Sequence, residues 1–172
     1  MAKLETFIRD VPDFPKKGII FKDITPLLAN VAALRQAVAE MAAPFAGKGV
    51  QYVAGIESRG FVFGALLADR LGAGFVPVRK PGKLPWKTLQ KSYELEYGTN
   101  TIEIHTDAVP PGAKVLMVDD LLATGGTMAA ACDPVRQLQA EVVGATFLIE
   151  LAFLSGRDKL KGYDVRSLIQ YR

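Results

Sequence analysis

Apolar residues along this chain gather into strand-like runs at 51–56, 74–78, 114–118, 142–149 and 165–169. Between several of them the period changes to three and four. Val31, Leu34, Val38, Met41 and Phe45 line one side of a helix expected over 31–45, a second helix is expected over 59–70, and a third follows Gly125. Strands alternating with helices predict an α/β domain whose central sheet is mostly parallel and flanked by helices. Pro134 falls within the third helix, where it lacks an amide donor and crowds the preceding turn, so a kink or break is expected near 130–134.

Two segments interrupt the alternation. In DVPDFPKKGIIFKDITPLL, prolines at 12, 15 and 26 preclude a long helix and predict a hood of loops and short elements over 1–30. In RKPGKLPWKTLQKSYELEYGTNTIEI, prolines and a glycine precede two alternating stretches, which predict an antiparallel hairpin turning at 98–100. Inserted loops of this length in small domains usually serve function. No repeat or linker divides the 172 residues, so one domain is expected.

With 49% apolar and 23% charged residues the chain can bury one core, and disorder is not expected. No apolar stretch approaches the ~20 residues of a membrane span, and the N-terminal residues lack a secretory pattern, which makes a cytoplasmic protein the expectation. The lone cysteine, Cys132, reads as a small apolar helix residue in a reducing compartment. The lone histidine, His105, rules out a two-histidine zinc site and is expected at the surface of a strand end. A net charge of +3 is too small to argue for nucleic acid, though it suits anionic substrates.

The chemistry concentrates in VLMVDDLLATGGTMAAA, residues 115–131, where an apolar strand runs into Asp119 and Asp120 and then a Thr-Gly-Gly-Thr turn opening a helix. Adjacent carboxylates repel each other and resist desolvation, so a ligand that relieves them is expected. Glycines at a helix start let unpaired amides approach an anion, and the helix dipole favours negative charge. Ala123, Thr124, Gly125, Gly126 and Thr127 therefore read as a phosphate turn, with neither the Walker nor the dinucleotide glycine spacing. Carboxylates beside a phosphate would accept hydroxyl groups of the same ligand, and a sugar phosphate meets both demands.

VLMVDDLLATGGT resembles the phosphoribosyl-pyrophosphate signature of the type I phosphoribosyltransferases. The ordered blocks FPKKGIIFKDITPLL, GIESRGFVFG, FVPVRKPGKLP and YELEYGTNTIEIH extend the resemblance over nearly the whole chain, toward the adenine-using members. The resemblance implies a Rossmann-like type I phosphoribosyltransferase fold with an N-terminal hood over 1–30 and a flexible catalytic loop and hairpin over 79–104. It implies a purine-salvage pentosyl transfer from phosphoribosyl pyrophosphate to adenine, giving AMP and pyrophosphate. Mg²⁺ would ride on the pyrophosphate and ribose oxygens, with no direct protein ligand, and the protein would be a homodimer without nucleic-acid or membrane partners.

The same resemblance assigns roles. Glu57, Ser58, Arg59 and Gly60 would form a pyrophosphate loop containing a non-proline cis peptide, joined by Arg79, Lys80 and Lys83 of the mobile loop. Asp119 and Asp120 would take the ribose hydroxyls, and Glu96 would handle the proton on the adenine ring. Backbone groups of Ile20 and Lys22 would read the base, with Phe21 and Leu121 on its two faces. Trp86 is a candidate partner contact. The rivals are a non-catalytic regulator on the same fold, which would be expected to carry a DNA-binding segment or strongly basic face, and the same transfer to a 6-oxopurine.

Overall fold

A computed structural model describes residues 3–94 and 99–172, which fall into two compact units, 1–40 and 41–172. In the first, a short 3₁₀ turn precedes an antiparallel pair, β1 (Arg9–Pro12) and β2 (Ile20–Asp23), and the helix α1 (Thr25–Ala29). Asp23 organises the entry to α1: its carboxylate accepts the Thr25 amide and hydroxyl, each at 2.9 Å. The peptide between Phe14 and Pro15 is cis.

Helix α2 (Val31–Ala42) starts where expected and ends three residues short of the expected 45. Asn30 caps it, accepting the Ala33 amide at 3.0 Å, which puts Val31 in the exposed first turn rather than on the buried side. Ala33, Ala37, Val38, Met41 and Ala42 are the buried residues. Pro44 has no amide to extend the α-helical ladder, so 43–45 tightens to a 3₁₀ turn that ends on the buried Phe45.

The second unit is built on a parallel five-stranded sheet in the order β4-β3-β7-β8-β9, from β3 (Tyr52–Ile56), β4 (Gly74–Val78), β7 (Lys114–Leu122), β8 (Glu141–Leu151) and β9 (Val165–Tyr171). Helix α3 (Gly60–Leu71) follows β3 and α4 (Gly126–Gln137) follows β7. Side chains alternate across the sheet. Ala54, Val76, Met117 and Phe147 share a core with Met128, Ala131, Cys132 and Val135 of α4. The alternate residues face α3, where Gly64 and Gly55 approach so closely that a Cβ on Gly64 would lie 3.3 Å from the Gly55 Cα. Full burial of side chains such as Met117 and Phe147 contributes about 1.5–3 kcal/mol each. Helix α3 closes on Gly72, whose left-handed backbone (φ 64°) returns its amide to Ala68 and Asp69.

Three expectations change here. Strand β7 runs four residues beyond 118, because β8 continues to offer ladder partners as far as Leu122 opposite Glu150, so the two acids lie within the strand. Helix α4 is unbroken through Pro134, which is buried and accepts the Leu138 amide at 3.1 Å; core packing offsets the missing donor. The hairpin pairs β5 (Thr88–Glu94) with β6 (Thr99–His105), placing Thr99 opposite Glu94 and Asn100 opposite Tyr93 within the ladder instead of in the turn.

Candidate active site

Consecutive strand residues point to opposite faces, and this separates the two acids. Asp119 shares the α4 side with Met117 and Phe147, and lines a cavity of about 70 Å³ with Leu121, Ala123, Thr124, Gly125, Gly126 and Thr127. Asp120 points to the other side, is 5% exposed, and its Oδ2 lies 2.7 Å from Arg59 Nε at the start of α3. The Asp120 amide also donates to Asp119 Oδ1 at 2.8 Å. Burial, then the neighbouring Asp120 charge, pushes the Asp119 carboxyl well above its usual range. Burial raises Asp120 too, against the opposing pull of Arg59.

The Ala123–Thr127 turn takes its shape from a backbone contact. Gly125 stands at φ 76°, and a Cβ there would come within 2.1 Å of the Gly156 carbonyl oxygen. The contact is reciprocal, since a Cβ on Gly156 would lie 2.2 Å from the Ala123 carbonyl oxygen. Two glycines, one in the signature and one 31 residues on, thus let segment 156–160 support the turn. Thr124 is exposed, whereas the Thr127 hydroxyl lies 3.0 Å from the Tyr93 hydroxyl.

At the end of β3, the peptide between Glu57 and Ser58 is cis and the chain turns into α3 at Gly60. Gly60 sits against β7: a Cβ would meet Asp119 Oδ1 at 2.9 Å and the Val118 carbonyl at 3.0 Å. Ser58 is exposed and Arg59 half-buried. Glu57 gathers the basic loop that follows β4. It accepts Arg79 Nη2 at 3.1 Å, Lys83 Nζ at 2.8 Å and the Lys80 amide at 3.1 Å. These contacts, Arg79 first, bring its pKa down to about 2.

A group with a depressed folded pKa stabilises the fold above its ordinary value, 4.5 for Glu57, and loses that contribution as pH falls toward about 2. Since Arg79 and Lys83 are a third to a half exposed, screening limits the contribution to about 1 kcal/mol. Glu57→Gln is therefore expected to narrow the stability difference between pH 6 and pH 3 by about that amount, measured by urea unfolding.

Glu103 completes this side. It is 4% exposed, exchanges backbone hydrogen bonds with Arg79, and accepts the Gly82 amide at 3.2 Å and Gln90 Nε2 at 2.6 Å. Sequence reasoning missed it because a glutamate between two isoleucines reads as the solvent side of a strand. Tyr93 was missed for a similar reason, as one alternating residue among several.

Not every expected residue enters this constellation. Glu96 lies outside the described residues. Ile20, Phe21 and Lys22 belong to the first unit: Ile20 is 55% exposed, Phe21 meets Phe14 edge-on with ring centroids 5.2 Å apart, and Lys22 Nζ pairs with Asp10 at 2.7 Å. Trp86 is 61% exposed. His105 ends β6 as expected and is half-buried, with its Nε2 enclosed. Cys132 is buried in α4, and burial raises its thiol to about 12, which removes it as a nucleophile at neutral pH. Among the described residues no group of three or more His, Cys, Asp or Glu could hold a metal ion, and no helix is long and apolar enough to cross a membrane.

Chemically, the second unit combines a glycine-rich turn at the start of a helix, a carboxylate facing the cavity beside it, a second carboxylate held by Arg59, and a basic loop gathered on Glu57. Residues 21–170 match the phosphoribosyl transferase domain family. The chain is 58% identical to the adenine phosphoribosyltransferase of Halothermothrix orenii over 98% of its own length and 99% of that protein. The crystal structure of adenine phosphoribosyltransferase from Thermoanaerobacter pseudethanolicus superposes with a TM-score of 0.95 at 54% identity, covering 98% of each chain. The Saccharomyces cerevisiae enzyme, complexed with an imino-altritol bisphosphate and adenine, gives 0.89 at 42% identity over 95% of this chain and 94% of that one.

Proposed function

The chain belongs to the phosphoribosyl transferase family, and from that membership we propose that it transfers the 5-phosphoribosyl group of phosphoribosyl pyrophosphate to adenine, giving AMP and pyrophosphate. The observation that carries the site assignment is the half-buried Asp119 carboxylate lining one cavity with the Ala123–Thr127 turn. A phosphate needs the turn's amides, and a ribose hydroxyl needs an acceptor one sugar length away.

In this reading the turn holds the 5′-phosphate, and Asp119 and Asp120 accept ribose hydroxyls, Arg59 orienting Asp120. Bond breaking at C1′ runs ahead of bond making, so the ribose ring becomes cationic and the two carboxylates stabilise it. Pyrophosphate leaves toward residues 57–60 and toward Arg79, Lys80 and Lys83, whose charge offsets that of the leaving group. Glu57 holds the loop cations Arg79 and Lys83 in place. Closure of 79–104 lowers the local dielectric and strengthens both effects. Glu96 manages the adenine proton, while the backbone of Ile20 and Lys22, the ring of Phe21 and the Leu121 side chain receive the base. Among the described residues no carboxylate or histidine cluster would hold Mg²⁺, so the ion would be held by substrate oxygens and water, and there it would neutralise pyrophosphate charge. Residues 1–172 act as one catalytic domain, in a cytoplasmic homodimer where exposed Trp86 is a contact for the second copy.

Incubation with Mg²⁺, phosphoribosyl pyrophosphate and each purine in turn tests this. AMP from adenine alone is the expected product. Nucleotide from hypoxanthine or guanine instead would move the assignment to another base, and no product with any purine would favour a regulator.

A further inference from the structure

Tyr93 sits where three parts of the second unit meet. It stands on β5, opposite Asn100 in the hairpin ladder. Its hydroxyl lies 3.0 Å from Thr127 Oγ1, and its ring edge rests against the phosphate turn, with Cδ2 3.6 Å from where a Gly126 Cβ would be. It also lines a small cavity of about 30 Å³ with Glu57, Arg79, Lys80 and Thr127. The hairpin thus reaches the turn through a hydroxyl pair, in which either oxygen can be the donor.

We propose that Tyr93 is a positioning residue through which phosphate on the turn fixes the paired strands β5 and β6. The proposal rests on the reading of Ala123–Thr127 as the 5′-phosphate site. Thr127 has one hydroxyl proton, and a phosphate oxygen can only accept. With the turn empty, the proton order between Tyr93 and Thr127 is free. With phosphate bound, Thr127 donates to it and must accept from Tyr93, giving one chain of donors that runs from the hairpin to the ligand. Donors aligned in this way polarise one another, so the bond between hairpin and turn tightens on binding. Linkage makes the effect mutual: a hairpin held at Tyr93 presents a better-ordered Thr127 to the phosphate.

The test is amide hydrogen exchange of residues 88–94 and 99–105 in the intact protein, with AMP and with adenine, which lacks the phosphate. In the wild type, AMP is expected to slow exchange across the hairpin by roughly three- to tenfold more than adenine does, the span of one net hydrogen bond. Tyr93→Phe keeps the ring and should lose that AMP-specific difference while still binding AMP. Thr127→Ser keeps the hydroxyl and should retain it. If Tyr93→Phe does not fold, Thr127→Val at saturating AMP removes the same bond from the other side and should lose the difference likewise. AMP-specific protection that survives in Tyr93→Phe, or in that substitute, would overturn the proposal with the phosphate site intact. Failure of the wild type to bind AMP would overturn the site reading and this inference together.

Discussion

Gly125→Ala is expected to lower kcat/KM for phosphoribosyl pyrophosphate by at least about 100-fold, the scale of a 1 Å misplacement at a reacting centre. Two effects act together. At φ 76° an alanine pays the penalty of left-handed backbone, about 1–2 kcal/mol. Its Cβ would also stand 2.1 Å from the Gly156 carbonyl oxygen and 3.0 Å from the carbonyl carbon. Both obstacles are main chain, so neither can swing aside, and the turn must shift by more than an ångström. Amides that shift so far no longer converge on one phosphate. Gly126→Ala is the control: its Cβ would make only ordinary contacts, at 3.6 Å or more, and a smaller loss is expected. AMP formation rates beside urea midpoints separate a damaged site from an unfolded protein.

The second large effect concerns the acids. Asp119→Asn and Asp120→Asn are each expected to lose ~1.5–3 kcal/mol of transition-state stabilisation, roughly ten- to over a hundred-fold in kcat/KM. The two variants should differ in pH dependence. Because the Asp119 carboxyl titrates above its ordinary 3.8, the ionised form proposed to serve a cationic ribose is lost while pH is still above that value. The acidic limb of kcat/KM should therefore lie above 3.8 and be displaced in Asp119→Asn. The stability effect has the opposite sign. A carboxyl whose folded pKa is raised subtracts stability above its unfolded value, so Asp119→Asn should unfold at equal or higher urea concentration at pH 7. Asp120→Asn instead releases Arg59 from a 2.7 Å ion pair and should not share that gain. Unchanged kinetics in both variants would remove the sugar assignment.

Much of the fold was legible because its signals are local. The parallel strands announce themselves as apolar runs, most clearly the inner β3, β7 and β8, since a strand buried on both faces needs little polar alternation. Thr-Gly-Gly-Thr after a strand implies an anion turn for reasons that lie within a few residues: φ above zero, unpaired amides and a helix dipole. Less legible were the places where distant residues meet. Nothing near Gly156 in the chain identifies it as the floor of a turn 31 residues earlier. Pro134 and Val31 went astray for the opposite reason, since local rules were overruled by core packing in the first and by the Asn30 cap in the second.

Read from sequence alone, Asp119 and Asp120 were an adjacent pair with a shared task. Extension of β7 through both residues assigned them to opposite faces of the sheet, one toward the Ala123–Thr127 turn and the other toward Arg59. The sequence by itself determined which chemical groups are present: two acids, a glycine-rich turn opening a helix and a run of cations. Only the tertiary structure decided which charge meets which, that Glu57 rather than solvent takes Arg79 and Lys83, and that Tyr93 joins the hairpin to Thr127. Residue type and short-range backbone geometry are encoded within a few positions, whereas charge pairing and close backbone approach depend on packing segments that lie 20 to 60 positions apart.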